Sequence, residues 1–350
     1  MYYLFETQVA PLTTVRRQRI LPAPGELLVR SGQRVESAQP VARTDIPGDF
    51  RILPLARLLG VAPARIKRHL RVAPGETVQA EQVIAKKFGR VVKSPIDGVM
   101  VASGNGLVLI QAQPTPFELC AYIPGVVANV LGNYGVVIET SGVLIQGIWG
   151  TGGESFGVLK CLVDDPKDPL RARALDPSCH GMIIVGGSEL NGPALEMAQE
   201  LQIRGIVTGG LPPELIPQAK ELPFPVIVTD GIGKTPMAAP IFRLLKTNDG
   251  REAAISGQVQ SRWDVVRPEI VIPLPADAEL PPQQPPGSPL TVGTLVRAIR
   301  APYTGKSGAV VKLPARPRFI DTGVKVRGAE VDLGQEAPVF IPLANLEILR

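Results

Sequence analysis

The sequence predicts a multidomain, β-rich α+β protein, and three observations lead there. Gly and Pro supply 36 residues each while aromatics make up only 5%, a composition of short elements and tight turns. Most apolar segments are short and bounded by Gly or Pro, as strands are. After about residue 176 strand-like runs alternate with helical ones, which calls for right-handed crossovers and a parallel sheet. At 350 residues there is room for two or three cores.

The totals narrow the class further. Cys120, Cys161 and Cys179 are odd in number and far apart, so a disulfide framework is not expected and a reducing cytoplasm is. The opening Met1-Tyr2-Tyr3-Leu4-Phe5-Glu6 lacks a basic segment followed by an apolar one, and no run approaches the ~20 apolar residues that span a bilayer. Insertion into a membrane is not expected. Charge is divided along the chain: residues 1–115 carry 16 Lys/Arg against 8 Asp/Glu, residues 116–289 carry 12 against 19, and residues 290–350 carry 9 against 5. Two basic ends flanking an acidic middle suit a polyanion gripped at both ends, or ends that attract the middle.

Residues 1–115 are expected to form one β-domain with an inserted helical pair. Gly25-Glu26-Leu27-Leu28-Val29-Arg30-Ser31-Gly32-Gln33-Arg34-Val35 recurs loosely as Val72-Ala73-Pro74-Gly75-Glu76-Thr77-Val78. The copies are followed by Pro40-Val41-Ala42 and Val83-Ile84-Ala85, and the second continues to Ser94-Pro95-Ile96-Asp97-Gly98. This arrangement resembles the barrel-sandwich hybrid shared by biotinyl and lipoyl carriers and by non-carrier proteins, including the corresponding domain of Rnf- and Nqr-type redox complexes. A carrier holds its modified Lys at a hairpin tip. Here only Lys86 to Lys93 separate Ala85 from Ser94, which reads as too short for that hairpin, and no Met-Lys-Met is present. Lys86 and Lys87 are the nearest lysines, and a scaffold rather than a swinging arm is expected.

Between the copies, Leu53 to Leu70 places apolar residues at helical spacing on both sides of Gly60-Val61, with Pro54 and Pro63 suited to first turns. Ala56, Gly60 and Ile66 match the small, turn and core positions of a helix-turn-helix, whose second helix would present Arg65, Lys67, Arg68 and His69 to a groove. The competing and favoured reading is a helical connector with a solvated basic face.

Residues 116–175 alternate strand segments with Gly turns, predicting a small antiparallel sheet. Residues 176–270 predict a three-layer α/β segment: strands at Gly181–Val185, Gly205–Thr208 and Pro225–Thr229, and helices at Pro193–Leu201, Pro213–Leu222 and Pro236–Lys246. Residues 271–290 are Pro-rich and read as an extended linker.

Residues 291–350 begin with a strand, then Pro302-Tyr303-Thr304-Gly305-Lys306-Ser307-Gly308, then a second strand, with a tight turn at Gly305 and Gly308. Val324 to Leu333 and Val339 to Pro342 supply further strands. This order resembles the KOW module of NusG and of certain ribosomal proteins, an SH3-like barrel. The resemblance implies RNA, ribosome or RNA polymerase as partners, with Arg300, Tyr303, Lys306 and Lys312 as contacts. Duplex DNA is a further polyanion to test. Cations there would meet phosphates and Tyr303 a base, unless Tyr303 packs beneath the turn.

Chemistry elsewhere is sparse. Gly186-Gly187-Ser188 with Asn191, and Asp230-Gly231-Ile232-Gly233-Lys234, stand where strands meet helices, and their N–H groups suit a phosphate. Neither completes a nucleotide-binding motif. The first stretch also resembles the swivelling phosphohistidine domain, yet Ser188 or Asn191 stands where its His belongs. Cys179-His180 have no companions to complete a metal site, and adjacent strand residues point apart. No cofactor, no metal and no catalytic constellation is expected. The sequence therefore points to a non-enzymatic binding protein. The alternatives are an α/β domain recognising a phosphorylated small molecule and a structural subunit of a larger complex.

Overall fold

The computed structural model describes residues 5–260, 266–275 and 289–349. It is β-rich, with 45% of residues in strands against 14% in helices, and has a curled half-barrel sheet with several small sheets. Of the expected linker, residues 276–288 lie outside the described residues.

The main sheet has eleven strands. One half holds four parallel strands in chain order, Glu154–Cys161, Met182–Val185, Gly205–Leu211 and Val226–Ile232. Because each crossover steps the same way, the helices Gly192–Glu200 and Ile216–Glu221 land on one face, over Ile184, Ile206 and Val226. The helix Ala239–Thr247 carries the chain back across the other face, burying Ile241, Phe242 and Leu245 against Ile183, Val207 and Ile227. These elements lie close to where their sequence pattern put them.

The other half of the sheet is antiparallel and runs across the expected divisions. Glu252–Ser256 returns beside Glu154–Cys161, then Glu269–Pro273 pairs with the long strand Gly135–Gln146. Val9–Ile20 lies along that same long strand from Ile20↔Gly135 to Val9↔Ile145. Residues 116–175 and 176–270 thus share one sheet, and the long strand Val9–Ile20 of the expected 1–115 domain belongs to it too. Register partners over a hundred residues apart leave no local signature, so the division looked natural in the sequence.

Three small sheets follow Val9–Ile20. Pro40–Ile46 pairs with Glu26–Leu27 and Thr115–Cys120. Phe50–Leu53, Leu107–Ala112, Gly98–Gly104 and Thr77–Val78 form a second sheet over a separate core of Leu55, Leu59, Ile66, Ile84, Met100 and Ile110. The lobe spanning residues 50–112 is built on that core. Its helical pair is a single five-residue α-helix, Leu55–Leu59, a left-handed turn at Gly60 (φ 63°), and a 3₁₀ segment, Pro63–Arg68. Buried Ile66 anchors the segment while Arg65, Lys67 and Arg68 face solvent and His69 is half-buried. The groove-reading helix is corrected: six residues of 3₁₀ helix have neither the length nor the pitch for it.

The third small sheet corrects a second expectation. Eight residues suffice for a hairpin, because Val83–Lys87 and Arg90–Lys93 pair directly around a two-residue turn, Phe88-Gly89. Both turn residues have positive φ, 38° and 81°, the signature of a type I′ connection.

The C-terminal unit forms a sheet in which its fifth strand, Leu346–Leu349, pairs with its first, Leu295–Ala298. Ser307–Lys312, Gly328–Asp332 and Val339–Pro342 follow in order. Phe5–Thr7 joins the outer edge, parallel to Leu346–Leu349. The turn at Gly305 has φ 77°, as expected. Gly308 instead lies inside a strand, where a Cβ would come 1.8 Å from the Asp332 carbonyl oxygen, so cross-strand crowding and not turn geometry demands glycine. The unit is packed against the rest: Leu349 lies in the same core as Val9, Ile145 and Ile270, and partly buried Leu295 packs on it.

Candidate nucleic-acid interface and the charge network behind it

The exposed face of the C-terminal unit carries most of the expected contacts. Arg300 and Lys306 are exposed beside the turn, and Lys312 is exposed at the end of its strand. Tyr303 is half-buried against the core of the C-terminal unit, and the Lys306 Nζ stands 5.8 Å from its ring centre. Packing beneath the turn leaves little of Tyr303 to stack on a base.

A feature that sequence reasoning missed stands nearby. Between the second and third strands of that sheet lies a separate short hairpin, Arg318–Phe319 with Lys325–Val326. Phe319 is 72% exposed, with the Lys325 Nζ 5.7 Å from its ring centre. Arg318 is fixed 5.4 Å from the Phe340 ring centre by an ion pair to Glu330 at 2.8 Å. Exposed Arg316 precedes it. The signal available in the sequence was the run Arg316-Pro317-Arg318-Phe319, two cations leading to an aromatic. Arg65, Lys67 and Arg68 are not part of this face; they sit on the 50–112 lobe, which has its own core.

The glycine turns of the α/β half do not converge on one site. The N–H groups of Gly186, Ser188, Gly209 and Gly233 donate to the carbonyls of Val207, Asp168, Gly187 and Leu211 at 2.8–2.9 Å. A Cβ on Gly187 would lie 2.3 Å from the Asp168 carbonyl oxygen, and one on Gly209 2.4 Å from the Met237 nitrogen. These glycines let loops stack over strand ends. Asn191 caps its helix, its Oδ1 accepting from the Ala194 N–H at 3.1 Å. Lys234 is exposed and pairs with Glu189 at 3.3 Å. Asn191, Lys234 and Arg171 border a cleft of about 360 Å³, while Asp230 and Gly231 face a different one, of about 650 Å³.

Asp230 is committed elsewhere. Its Oδ1 accepts from Arg297 at 2.6 Å, and its Oδ2 accepts from the Thr229 hydroxyl at 2.6 Å and the Ala238 N–H at 3.0 Å. The Arg297 side chain is 1% exposed and also donates to the Thr229 carbonyl at 2.8 Å and to Glu347 at 2.5 and 3.2 Å. Arg267 adds a bond to Glu347 at 3.0 Å and one to Thr7 at 2.6 Å, and Thr7 donates to Glu347. Burial pushes the Asp230 carboxyl above its ordinary value, against the pull of Arg297, Thr229 and Ala238. Burial acts upward on Glu347 as well, but Arg297, Thr7 and Arg267 together hold it below the usual glutamate value. The network joins the α/β half, the C-terminal unit and the N-terminal strand. It is a clamp with its donors engaged inside the protein.

Cys179 is buried, and the neighbouring His180 is exposed with its Nδ1 3.1 Å from the Leu201 carbonyl oxygen. Burial, reinforced by Asp249, pushes the Cys161 thiol up to about 12, which keeps it protonated at neutral pH. Among the described residues no group of three or more His, Cys, Asp or Glu is placed to hold a metal ion. No family model matches the chain, and no curated protein matches it.

Proposed function

We propose that this protein is a non-enzymatic scaffold that binds single-stranded RNA, free or within a ribosome or transcription complex, through its C-terminal barrel. One observation carries the reading: Phe319 stands out in water on a hairpin with the Lys325 Nζ 5.7 Å from its ring centre, and neither Lys325 nor the exposed Arg316 ahead of it in sequence has an ion-pair partner among the described residues. An aromatic face stacks on any base, and cations behind it hold the phosphates. The strand order, fifth-first-second-third-fourth, supports the KOW resemblance independently.

Titration of the full chain with fluorescent single-stranded RNA across a salt series tests this. Phe319→Ala should cost about 1–3 kcal/mol of affinity. Arg316→Glu and Lys325→Glu should each lower the salt slope by about 0.7 for every phosphate that the cation had engaged. RNA binding that is absent at low salt, or indifferent to these three changes, rejects the proposal.

A second reading places a phosphorylated small molecule in the cleft bordered by Arg171, Asn191 and Lys234. A thermal-shift screen with phosphorylated metabolites separates it, since a ligand at 100 times its Kd adds roughly 2.7 kcal/mol.

A further inference from the structure

The hairpin tip at Phe88-Gly89 runs against the demands of folding in two ways. A type I′ turn prefers Asn, Asp or Gly at its first position, and Phe88 holds φ 38° there, in the left-handed region that a side chain disfavours. It is also 95% exposed, so its ring contributes nothing to a core. Strain and exposure at one aromatic residue point to function rather than stability.

The surroundings define what the tip meets. From Phe50 to Ala112 the lobe carries ten Lys/Arg and three Asp/Glu. Of the ten, Lys93 is neutralised by Glu81 at 2.9 Å, and the others have no acidic partner among the described residues. Several are gathered behind Phe88. The Lys87 Nζ donates to the Gly60 carbonyl at 3.1 Å, and the Arg90 guanidinium lies over Gly60. The Lys86 N–H bonds the His69 carbonyl at 3.1 Å, which ties the hairpin to the 3₁₀ segment bearing Arg65, Lys67 and Arg68. Val91, opposite Lys86, and Leu58, on the short helix packed against this hairpin, are exposed apolar neighbours.

We propose that this tip docks the protein peripherally on an anionic lipid surface, with Phe88 entering the headgroup boundary and the collar of lysines and arginines meeting lipid phosphates and carboxylates. An exposed aromatic apex with cations behind it and the exposed Val91 and Leu58 beside it combines apolar insertion with charge complementarity, the two terms that hold a peripheral protein on an anionic surface. Val91 and Leu58 gain from contact with acyl chains and have no role against phosphodiesters. No described helix is long and apolar enough to cross a membrane, so attachment of this kind is from one side. The proposal does not depend on the RNA reading, which concerns another lobe.

Flotation of the full chain with phosphatidylcholine vesicles, with and without phosphatidylserine, tests it. Wild type should bind the anionic vesicles, release them at high salt, and ignore the neutral ones. Phe88→Asn suits the turn better and should fold with an unchanged or higher Tm, yet bind vesicles at least roughly tenfold more weakly. Phe88→Trp should retain binding, with Trp emission shifting to the blue on anionic vesicles. Lys86→Glu should weaken binding without altering Tm. Failure to bind anionic vesicles, or equal binding by Phe88→Asn, overturns the proposal. So does a loss of RNA affinity in Phe88→Asn while vesicle binding is unchanged, which would make the tip a nucleic-acid contact. Loss of RNA binding in the Phe319 variant with vesicle binding intact would leave this proposal standing.

Discussion

Arg297 shows how a single side chain can be conspicuous in the fold and silent in the sequence. In the chain it is one cation of a basic tail, with nothing beside it in sequence to mark it for burial. In the fold it is buried, because Asp230 and Glu347 approach it from two different sheets. Removing one partner of such a cluster leaves charge without compensation, so Arg297→Met should cost about 3–5 kcal/mol by chemical denaturation. Adding Asp230→Asn should recover part of that loss. The pH response follows from the shifts. Glu347 is depressed in the folded state, so its stabilisation is complete above the ordinary glutamate value of about 4.3 and is lost as pH falls through the lower folded value. Asp230 is raised, so its own contribution runs the other way and declines as pH rises through its folded value. Glu347→Gln should therefore lower stability at neutral pH and flatten the acid limb, measured as Tm from about pH 3 to 7. An acid limb unchanged by the substitution would refute the assignment.

At the scale of elements, local rules carried far. The three helices of the α/β half each have Pro in their first turn, and three of its strands carry short apolar runs, Met182-Ile183-Ile184-Val185, Ile206-Val207 and Val226-Ile227-Val228, so both kinds of element were legible from neighbours in sequence. Glycines were legible in part. Gly60 and Gly305 have positive φ and sit at turns, as their contexts indicate. Others answer to a partner strand that the sequence does not name. A Cβ on Gly135 would lie 1.9 Å from the Arg19 carbonyl oxygen, forcing apart the two longest strands of the main sheet. Gly32, with φ 83° and open space around it, would suffer conformational strain alone. Gly135→Ala should cost about 1–3 kcal/mol or more, and Gly32→Ala about 1–2. The reverse order in urea unfolding would show that the pairing at Gly135 is more yielding than its geometry indicates.

On the scale of the whole molecule, the expected picture of a barrel on a tether gives way to one packed body. Phe5–Thr7 extends the C-terminal sheet, Leu349 enters the main core, and Arg297 reaches Asp230. If a protease site is placed between residues 276 and 288 and cut, the two fragments should remain associated on gel filtration. They should separate more readily when Arg297→Met is present. Fragments that part spontaneously in the wild-type background would restore the tethered picture.

What the sequence determined by itself was everything governed by short range: the β-rich class, the alternation of strands and helices after residue 176, several turns, and the division of charge into basic ends and an acidic middle. Tertiary structure alone decided which strands meet, that Tyr303 is half-hidden while Phe319 and Phe88 stand in water, and that Asp230 serves a clamp rather than sharing a cleft with Asn191 and Lys234. Periodicity, proline and glycine act through the residues beside them, so they can be read in order. Pairing between distant segments costs little more entropy at large separation than at small, so distance along the chain carries no trace of it.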